Sequence, residues 1–254
     1  MKTLAVIPAR LGATRLPRKP LRLLGGVPLV IRVWERVLGL DVVDRCLVAT
    51  DSDEVAQVVN DYGAEVVMTA ANHPSGTDRV AEVTRRPEYS DYDVVVNVQG
   101  DEPFVSRTAI LGAARLVTDG AFPVGTAAAP ADAGILHDPN VVKVVTDTNG
   151  RALYFSRAPI PFLRATGDAT DAALQRQYTW QHIGVYAYAR TALQDWVNLP
   201  PSPLELIERL EQLRPLTAGT PIGVSFIDEP LAPGIDTDED LERANEAWTD
   251  FSTG

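Results

Sequence analysis

The segment Arg10-Leu-Gly-Ala-Thr-Arg-Leu-Pro-Arg-Lys-Pro-Leu21 carries side chains suited to gripping an anion. Gly12 lets the main chain approach a ligand closely, and Pro17 and Pro20 stiffen the segment. Arg10, Arg15 and Lys19 can then converge on phosphate oxygens, the arginines as forked donors and the lysine as a point charge. Neither G-x-x-x-x-G-K-[ST] nor G-x-G-x-x-G occurs, so side chains rather than a glycine cradle would hold the phosphate. A solvated, proline-rich surface loop with scattered bases is the plainer alternative. Gln99-Gly-Asp101 ends a valine-rich run, and Asp236 follows Gly234-Ile235. Each carboxylate is a hard oxygen ligand of the kind Mg²⁺ favours, although glycine followed by aspartate is also a common turn. Ser75-Gly76-Thr77 with Arg79 offers hydroxyls, main-chain groups and a forked donor to a base or a phosphate. Taken alone, the same Ser-Gly-Thr-Asp is an ordinary helix cap. His182, Gly184 and Tyr186 are two apart and share one face of a strand, with Gly184 leaving an open floor for a sugar's hydroxyls. A buried histidine beside a packing tyrosine is the competing reading.

Elements of an α/β chain would carry these residues. Short β-branched runs at Leu4–Ile7, Cys46–Thr50, Glu65–Thr69, Asp93–Val98 and Val124–Ala128 alternate with helical stretches. Val27–Leu40 has Leu29, Val33, Val37 and Leu40 at helical spacing, and further helices fall near 78–86 and 107–118. Asp51 with Glu54 reads as a capping-box-like helix start. Such alternation predicts a mostly parallel central sheet with helices on both faces. Ligands then sit beyond the carboxyl ends of strands, at the loops after Ile7, Thr69 and Val98. The later half is less regular, with strands at Val141–Thr146, Ala152–Ser156, Gln181–Ala189 and Ile222–Ile227 and a final helix from about Asp238. Ser202-Pro-Leu-Glu205 is a strong helix start, and the helix is expected to run to about Arg214, burying Leu206, Leu210 and Leu213. Glu208, Glu211 and Gln212 would lie on its polar face. Without repeat, low-complexity tract or clear linker, residues 1–254 read as one domain, with a less regular sugar-binding and dimerisation portion around 130–215.

Composition narrows the setting. Seven of the 23 lysines and arginines precede Glu35 and no acidic residue does, so the start carries +7 and the remainder −18 of a net −11. So acidic a chain should repel nucleic acid, while its basic start suits a small polyanion. Cys46 is the single cysteine, which excludes an intrachain disulfide and fits a reducing, cytoplasmic setting. The apolar stretch before Pro8 is too short for a signal-peptide core, and no run reaches the roughly 18 apolar residues of a membrane span. His73 and His137 read as loop residues without a role, zinc-ligand spacing is absent, and no G-x-S-x-G elbow occurs.

In order along the chain stand the Arg10–Leu21 loop, Asn72-His-Pro-Ser-Gly-Thr-Asp-Arg79, Val96-Asn-Val-Gln-Gly-Asp-Glu-Pro103 and Tyr154-Phe-Ser-Arg157. They are followed by His182-Ile-Gly-Val-Tyr186, Ser202 to Arg214 and Gly234-Ile-Asp236. Together they resemble the 3-deoxy-manno-octulosonate cytidylyltransferases, or CMP-Kdo synthetases, over nearly the whole chain. The resemblance implies a Rossmann-like nucleotide-diphospho-sugar-transferase fold, a homodimer, and the Mg²⁺-dependent reaction CTP + Kdo → CMP-Kdo + pyrophosphate, which feeds lipopolysaccharide synthesis. It implies Arg10, Arg15, Lys19, Ser75, Gly76, Thr77, Arg79 and Gln99 as nucleotide contacts, with Arg10, Lys19 and Asp101 catalytic. It implies Asp101 and Asp236 as metal carboxylates; Glu102, although adjacent, has no such role. Gln99, Arg157, His182, Tyr186, Glu211 and Gln212 would face the sugar, with Arg157 and Gln99 at its acidic end. The chemistry would be in-line attack of the Kdo anomeric hydroxyl on the α-phosphorus, with no obvious side-chain base. Two positions depart from the family pattern: Ala13 replaces a usual serine, and Arg18 stands where glycine is common. Competing functions are cytidylyl transfer to 8-amino-Kdo or sialic acid and, more remotely, a non-catalytic nucleotide-binding regulator.

Overall fold

The computed structural model describes the chain apart from residues 13–14, 132–133, 165–172, 174–176, 230, 232–233 and 252–254, and apart from the side chains of 249–251. Ala13 therefore lies outside the described residues. Two compact units emerge: Met1–Arg107 with Ala232–Gly254, and Thr108–Leu231.

The first unit is built on a wholly parallel set of strands, as the β–α alternation predicts. β1 (Thr3–Ala9) pairs with β4 (Arg45–Thr50) on one side and β6 (Val94–Asn97) on the other, and β4 pairs with β5 (Val66–Met68). Leu4 to Ile7, Leu47 to Ala49 and Val94 to Val96 are all but excluded from water, which is why these runs are uninterrupted by polar residues. β2 (Leu23–Leu24) and β3 (Val27–Pro28) form a hairpin whose two turn residues, Gly25 and Gly26, both have positive φ, at 56° and 77°. The helix expected from Val27 therefore begins two residues later, as α1 (Leu29–Gly39), burying Leu29, Val33 and Val37. α2 (Asp53–Asp61) is capped by Ser52, whose Oγ accepts from Val55 N, rather than by Asp51; that carboxylate pairs with Arg79 instead. α3 (Gly76–Thr84) begins at the Ser75 cap.

In the second unit, β7 (Val124–Pro130) is flanked by β11 (Ile222–Phe226), parallel to it, and β10 (Trp180–Ala189), antiparallel. β8 (Lys143–Thr146) and β9 (Ala152–Ser156) make an antiparallel pair, and β8 also pairs with β10. α4 (Arg107–Thr118) lies so close to β7 that a Cβ on Gly125 would stand 2.2 Å from the Ala113 carbonyl oxygen. After β10 comes α5 (Arg190–Asn198), which the sequence pattern does not announce.

The stretch 202–214 is not one helix. α6 (Pro203–Glu208) has the full Ser202/Glu205 capping box but ends at Arg209, which adopts the left-handed conformation at φ 56°, and α7 (Leu213–Thr217) follows. That residue shifts the helical phase, so Leu210 and Leu213 are buried while Leu206 is exposed. Glu205 and Arg214 form a buried pair, with Nη2 to Oε1 at 2.6 Å and Nε to Oε2 at 2.9 Å. The chain closes with α8 (Asp238–Phe251) in the first unit. No helix among the described residues is long and apolar enough to cross a membrane.

Candidate active site

The loop after β1 is pinned by one apolar residue between two cations. Leu16 is fully buried in a cluster with Leu24, Leu29, Ile235, Leu241 and Ala244, against which Phe104 and Trp248 also pack. Trp248 lies under the Arg32 guanidinium, 4.3 Å from its ring centroid, and over Gly25. Arg15 and Lys19 therefore leave the same anchored loop that packs against the segment carrying Asp236.

Gly234-Ile-Asp236 divides its labour by residue. A Cβ on Gly234 would stand 3.2 Å from Glu102 Oε1, so glycine permits the close approach in which Ile235 N donates to Asp101 O at 3.0 Å. Ile235 is buried, and Asp236 projects beside it. A capping arrangement steadies this turn: Asp240 N donates to Thr237 Oγ1, while Asp236 N and Thr237 N donate to Asp240 Oδ2.

The two sequence-distant carboxylates meet at one ammonium. Lys19 Nζ donates to Asp101 Oδ2 at 2.5 Å and Asp236 Oδ1 at 2.8 Å, and Arg15 Nη2 donates to Asp236 Oδ2 at 2.8 Å. Burial disfavours the Lys19 charge, but the two carboxylates outweigh it and raise its pKa. Glu102 lies beside them. Its burial, reinforced by the charges of Asp101 and Asp236, pushes its carboxyl up to about 8 despite Lys19. The locality therefore holds more acidic groups than it can ionise together, as a cation-binding pocket would. Asp101 and Asp236 supply hard oxygens that converge on a position already taken by a cationic group. That donor set fits Mg²⁺, which uses few protein carboxylates and fills its shell with water and substrate phosphate. Among the described residues no three His, Cys, Asp or Glu side chains gather as a closed metal site.

A cavity of about 390 Å³ opens over these groups. Its lining brings together Arg10, Arg15, Lys19, Ser75, Gly76, Arg79, Gln99, Asp101 and Asp236 of the expected residues. Thr77 is buried and is not part of that lining. Arg79 is almost wholly buried and tied to Thr69 Oγ1 and, at 3.3 Å, to Asp51, so much of its forked donor set is engaged within the protein. Sequence reasoning missed His73, which also lines the cavity. Its Nε2 meets Glu82 Oε2, the same oxygen that accepts from Ala70 N, and its position two residues before Ser75 was the available signal.

The remaining candidates occupy the second unit. β10 bulges between Ile183 and Tyr186, and Thr126 Oγ1 lies within hydrogen-bonding distance of Val185 O, Ile183 O and His182 Nε2, at 2.7, 3.2 and 2.9 Å. Beside this bulge the His182 and Tyr186 rings stand 5.3 Å apart, and Gly184 between them stays partly exposed. Phe155 meets the imidazole edge-on at 5.1 Å. Burial lowers the His182 pKa to about 3, keeping the ring neutral, and burial raises that of Tyr186. The Tyr186 hydroxyl is buried without a partner among the described residues. Glu211 accepts from Trp196 Nε1 at 3.2 Å, and Gln212 is buried. Glu208, expected on a solvated face, instead accepts from Ser156 Oγ at 2.6 Å and Arg157 N at 3.0 Å.

An anion loop beyond the first strand of a parallel sheet, facing paired carboxylates, defines a nucleotidyltransferase. A family model described as cytidylyltransferase matches residues 4–222. A 3-deoxy-manno-octulosonate cytidylyltransferase of Gemmatimonas aurantiaca is 62% identical over 98% of this chain and 95% of its own. One from Stenotrophomonas maltophilia (strain R551-3) is 48% identical over 94% and 93%. Among solved structures, a CMP:2-keto-3-deoxy-manno-octonic acid synthetase complexed with CTP superposes with TM-score 0.89 at 37% identity, covering 99% of this chain and 100% of that one. The inositol-1-phosphate CTP transferase of T. maritima, at 17% identity and TM-score 0.68, shares the fold. The chain belongs to the 3-deoxy-manno-octulosonate cytidylyltransferase family.

Proposed function

We propose that this chain transfers CMP from CTP to Kdo, releasing pyrophosphate and forming the activated sugar used in lipopolysaccharide synthesis. The observation that carries the chemistry is the single cavity in which Arg10, Arg15 and Lys19 meet Asp101 and Asp236. The relatives' shared substrate carries the choice of sugar. The anomeric oxygen of Kdo attacks the α-phosphorus, the bond to the bridging oxygen of pyrophosphate breaks, and the hydroxyl proton passes to solvent. Arg10, Arg15 and Lys19 hold the triphosphate and neutralise the charge that grows on the leaving group. Ser75, Gly76, Thr77, Arg79 and Gln99 hold the rest of the nucleotide. Arg157, His182, Tyr186, Glu211 and Gln212 orient the sugar, with Arg157 and Gln99 at its carboxylate. Asp101 and Asp236 would hold Mg²⁺, which when bound supplies Lewis-acid charge and makes a hydroxyl easier to ionise.

The whole chain acts as one catalytic domain, in keeping with a solved relative that it covers end to end. A homodimer is supported by the exposed Leu153, Phe162 and Ile207 of the second unit, and light scattering would show twice the 27.5 kDa chain mass. A cytoplasmic setting is supported by the lone, buried Cys46, whose thiol burial pushes up to about 12. Pyrophosphate release with CTP and Mg²⁺ tests the reading: Kdo supports turnover, while 8-amino-Kdo and sialic acid give at least tenfold lower kcat/KM. Absence of pyrophosphate release with every acid tested would return the chain to a nucleotide-binding regulator.

A further inference from the structure

Arg157 is held at four separate points, and the residues that hold it have no role in the reading above. Its main-chain N–H donates to Glu208 Oε2 at 3.0 Å, and its own carbonyl accepts from Lys143 Nζ at 2.6 Å. Its Nε donates to the Glu208 carbonyl at 2.9 Å, and its Nη1 to the Pro139 carbonyl at 2.8 Å. Glu208 is the last residue of α6, where helix carbonyls lack partners along the helix; the left-handed Arg209 that follows ends the helix there. Lys143 is fully buried, and its other two donors go to the carbonyls of Val141 and Asp138, at 2.6 and 2.9 Å. All three ammonium protons are thereby spent on main chain, so this lysine has no donor left for a ligand. It joins the Arg157 main chain to the 138–141 loop, which supplies the Pro139 carbonyl.

We propose that Glu208 and Lys143 are positioning residues that aim the Arg157 guanidinium at the carboxylate of the sugar acid. Nε and one proton of Nη1 are engaged by main-chain oxygens, while Nη2 has no protein partner among the described residues. The planar fork cannot rotate without breaking two bonds, so its free edge is presented in one orientation. An acid carboxylate meets the two Nη groups end-on, and the entropy of ordering the arginine is spent in folding rather than in binding. Burial weakens the Lys143 charge, partly offset by Asp138, so an ammonium kept there at a cost is matched by a specific structural task.

The inference rests on Arg157 meeting the acid, and calorimetric binding of Kdo alongside kinetics separates the two. Glu208→Gln preserves shape, replaces one of the two accepting oxygens with an amide donor and weakens the other. It should raise KM and Kd for Kdo about tenfold, leave KM for CTP within twofold, and barely shift Tm. Lys143→Met should act in the same direction and more strongly. In an Arg157→Ala background, Glu208→Gln should add less than twofold, because both changes remove the same contact. Discrimination between Kdo and its uncharged carboxamide should narrow in every one of these variants. A folded Glu208→Gln protein with unchanged Kdo affinity, or full additivity with Arg157→Ala, overturns the positioning role. Failure of the wild-type chain to bind Kdo overturns the reading beneath it.

Discussion

The two groups of candidate residues follow opposite physical plans. In the first unit the ionic groups bond mainly to one another: Lys19 to Asp101 and Asp236, and Arg15 to Asp236, with Arg15 exposed and Asp236 half-buried. In the second unit His182, Tyr186, Glu211 and Gln212 are lodged among aromatic rings, a pinned bulge and main-chain carbonyls. The difference matches the ligands proposed for each group. A triphosphate carries charge, and partly solvated cations can exchange a carboxylate for a phosphate at little net cost. A sugar presents neutral hydroxyls, which bind only when directional donors and acceptors are fixed beforehand. Residues of the first group should therefore be separable from folding, and residues of the second should not.

Lys19→Ala tests the first half and should have the largest effect. Loss of a preorganised cation facing a developing phosphate charge should lower kcat/KM about 10³-fold. The carboxylates left behind, Asp101 and Asp236, are partly solvated, so Tm should fall by no more than about 4 °C. A variant that unfolds, or one with near-normal turnover, breaks the contrast. Next in size is Arg214→Met in the second unit, which leaves Glu205 buried without its cation. Partner salt and capping bonds outweigh burial and lower the Glu205 pKa, so the carboxylate is charged at neutral pH. Removing the arginine should cost about 3 kcal/mol, and adding Glu205→Leu should recover most of it. Thermal unfolding of the single and double variants measures both. Because Gln212 and Leu213 lie just before Arg214, kcat should fall together with stability, the opposite of Lys19→Ala.

A smaller and graded test uses pH. His182 is neutral in the fold, with its pKa lowered to about 3 by burial, against 6.5 when unfolded. Below pH 6.5 the unfolded chain binds a proton that the folded chain refuses. Stability contributed by this residue is thus complete above pH 6.5 and falls as pH drops toward 3, by at most about 1.4 kcal/mol per pH unit. His182→Gln should flatten the slope of urea-unfolding free energy between pH 6.5 and 5. An unchanged slope would remove His182 from the enclosed network.

What could be read from the sequence follows how local its causes are. α4 spans Arg107–Thr118 and β9 spans Ala152–Ser156 as the apolar spacing predicts, and the Ser202/Glu205 capping box forms as written. Asp101 follows Gly100 just beyond a valine-rich strand, Asp236 stands two residues after Gly234, and Lys19 lies in a basic, proline-stiffened loop after β1, so each carries a local mark in the sequence. A left-handed arginine such as Arg209 carries no compositional mark, so helical spacing alone puts Leu206 on the buried face, where the structure exposes it. α5 escaped notice because it continues directly from β10, with Ala189 at its start and no side-chain cap. Glu102, Glu208 and Lys143 are ordinary polar residues until partners distant in sequence reach them, as Ser156 and Arg157 reach Glu208 across 52 and 51 positions.

Arg18 offers the smallest effect and a check on the first unit's separability. It has φ 59°, a conformation that favours glycine, and its guanidinium pairs with Glu54 at the surface. A left-handed backbone penalises a residue with a Cβ by roughly 1 to 2 kcal/mol, whereas an exposed ion pair returns well under 1 kcal/mol. Glycine also has a more flexible unfolded chain, which takes back roughly 0.5 to 1 kcal/mol. Arg18→Gly should therefore change stability by less than about 1 kcal/mol, in favour of glycine, and alter kcat/KM by less than twofold. A tenfold rise in KM for CTP would instead add Arg18 to Arg10, Arg15 and Lys19 as a phosphate contact, with its strained backbone kept for that purpose.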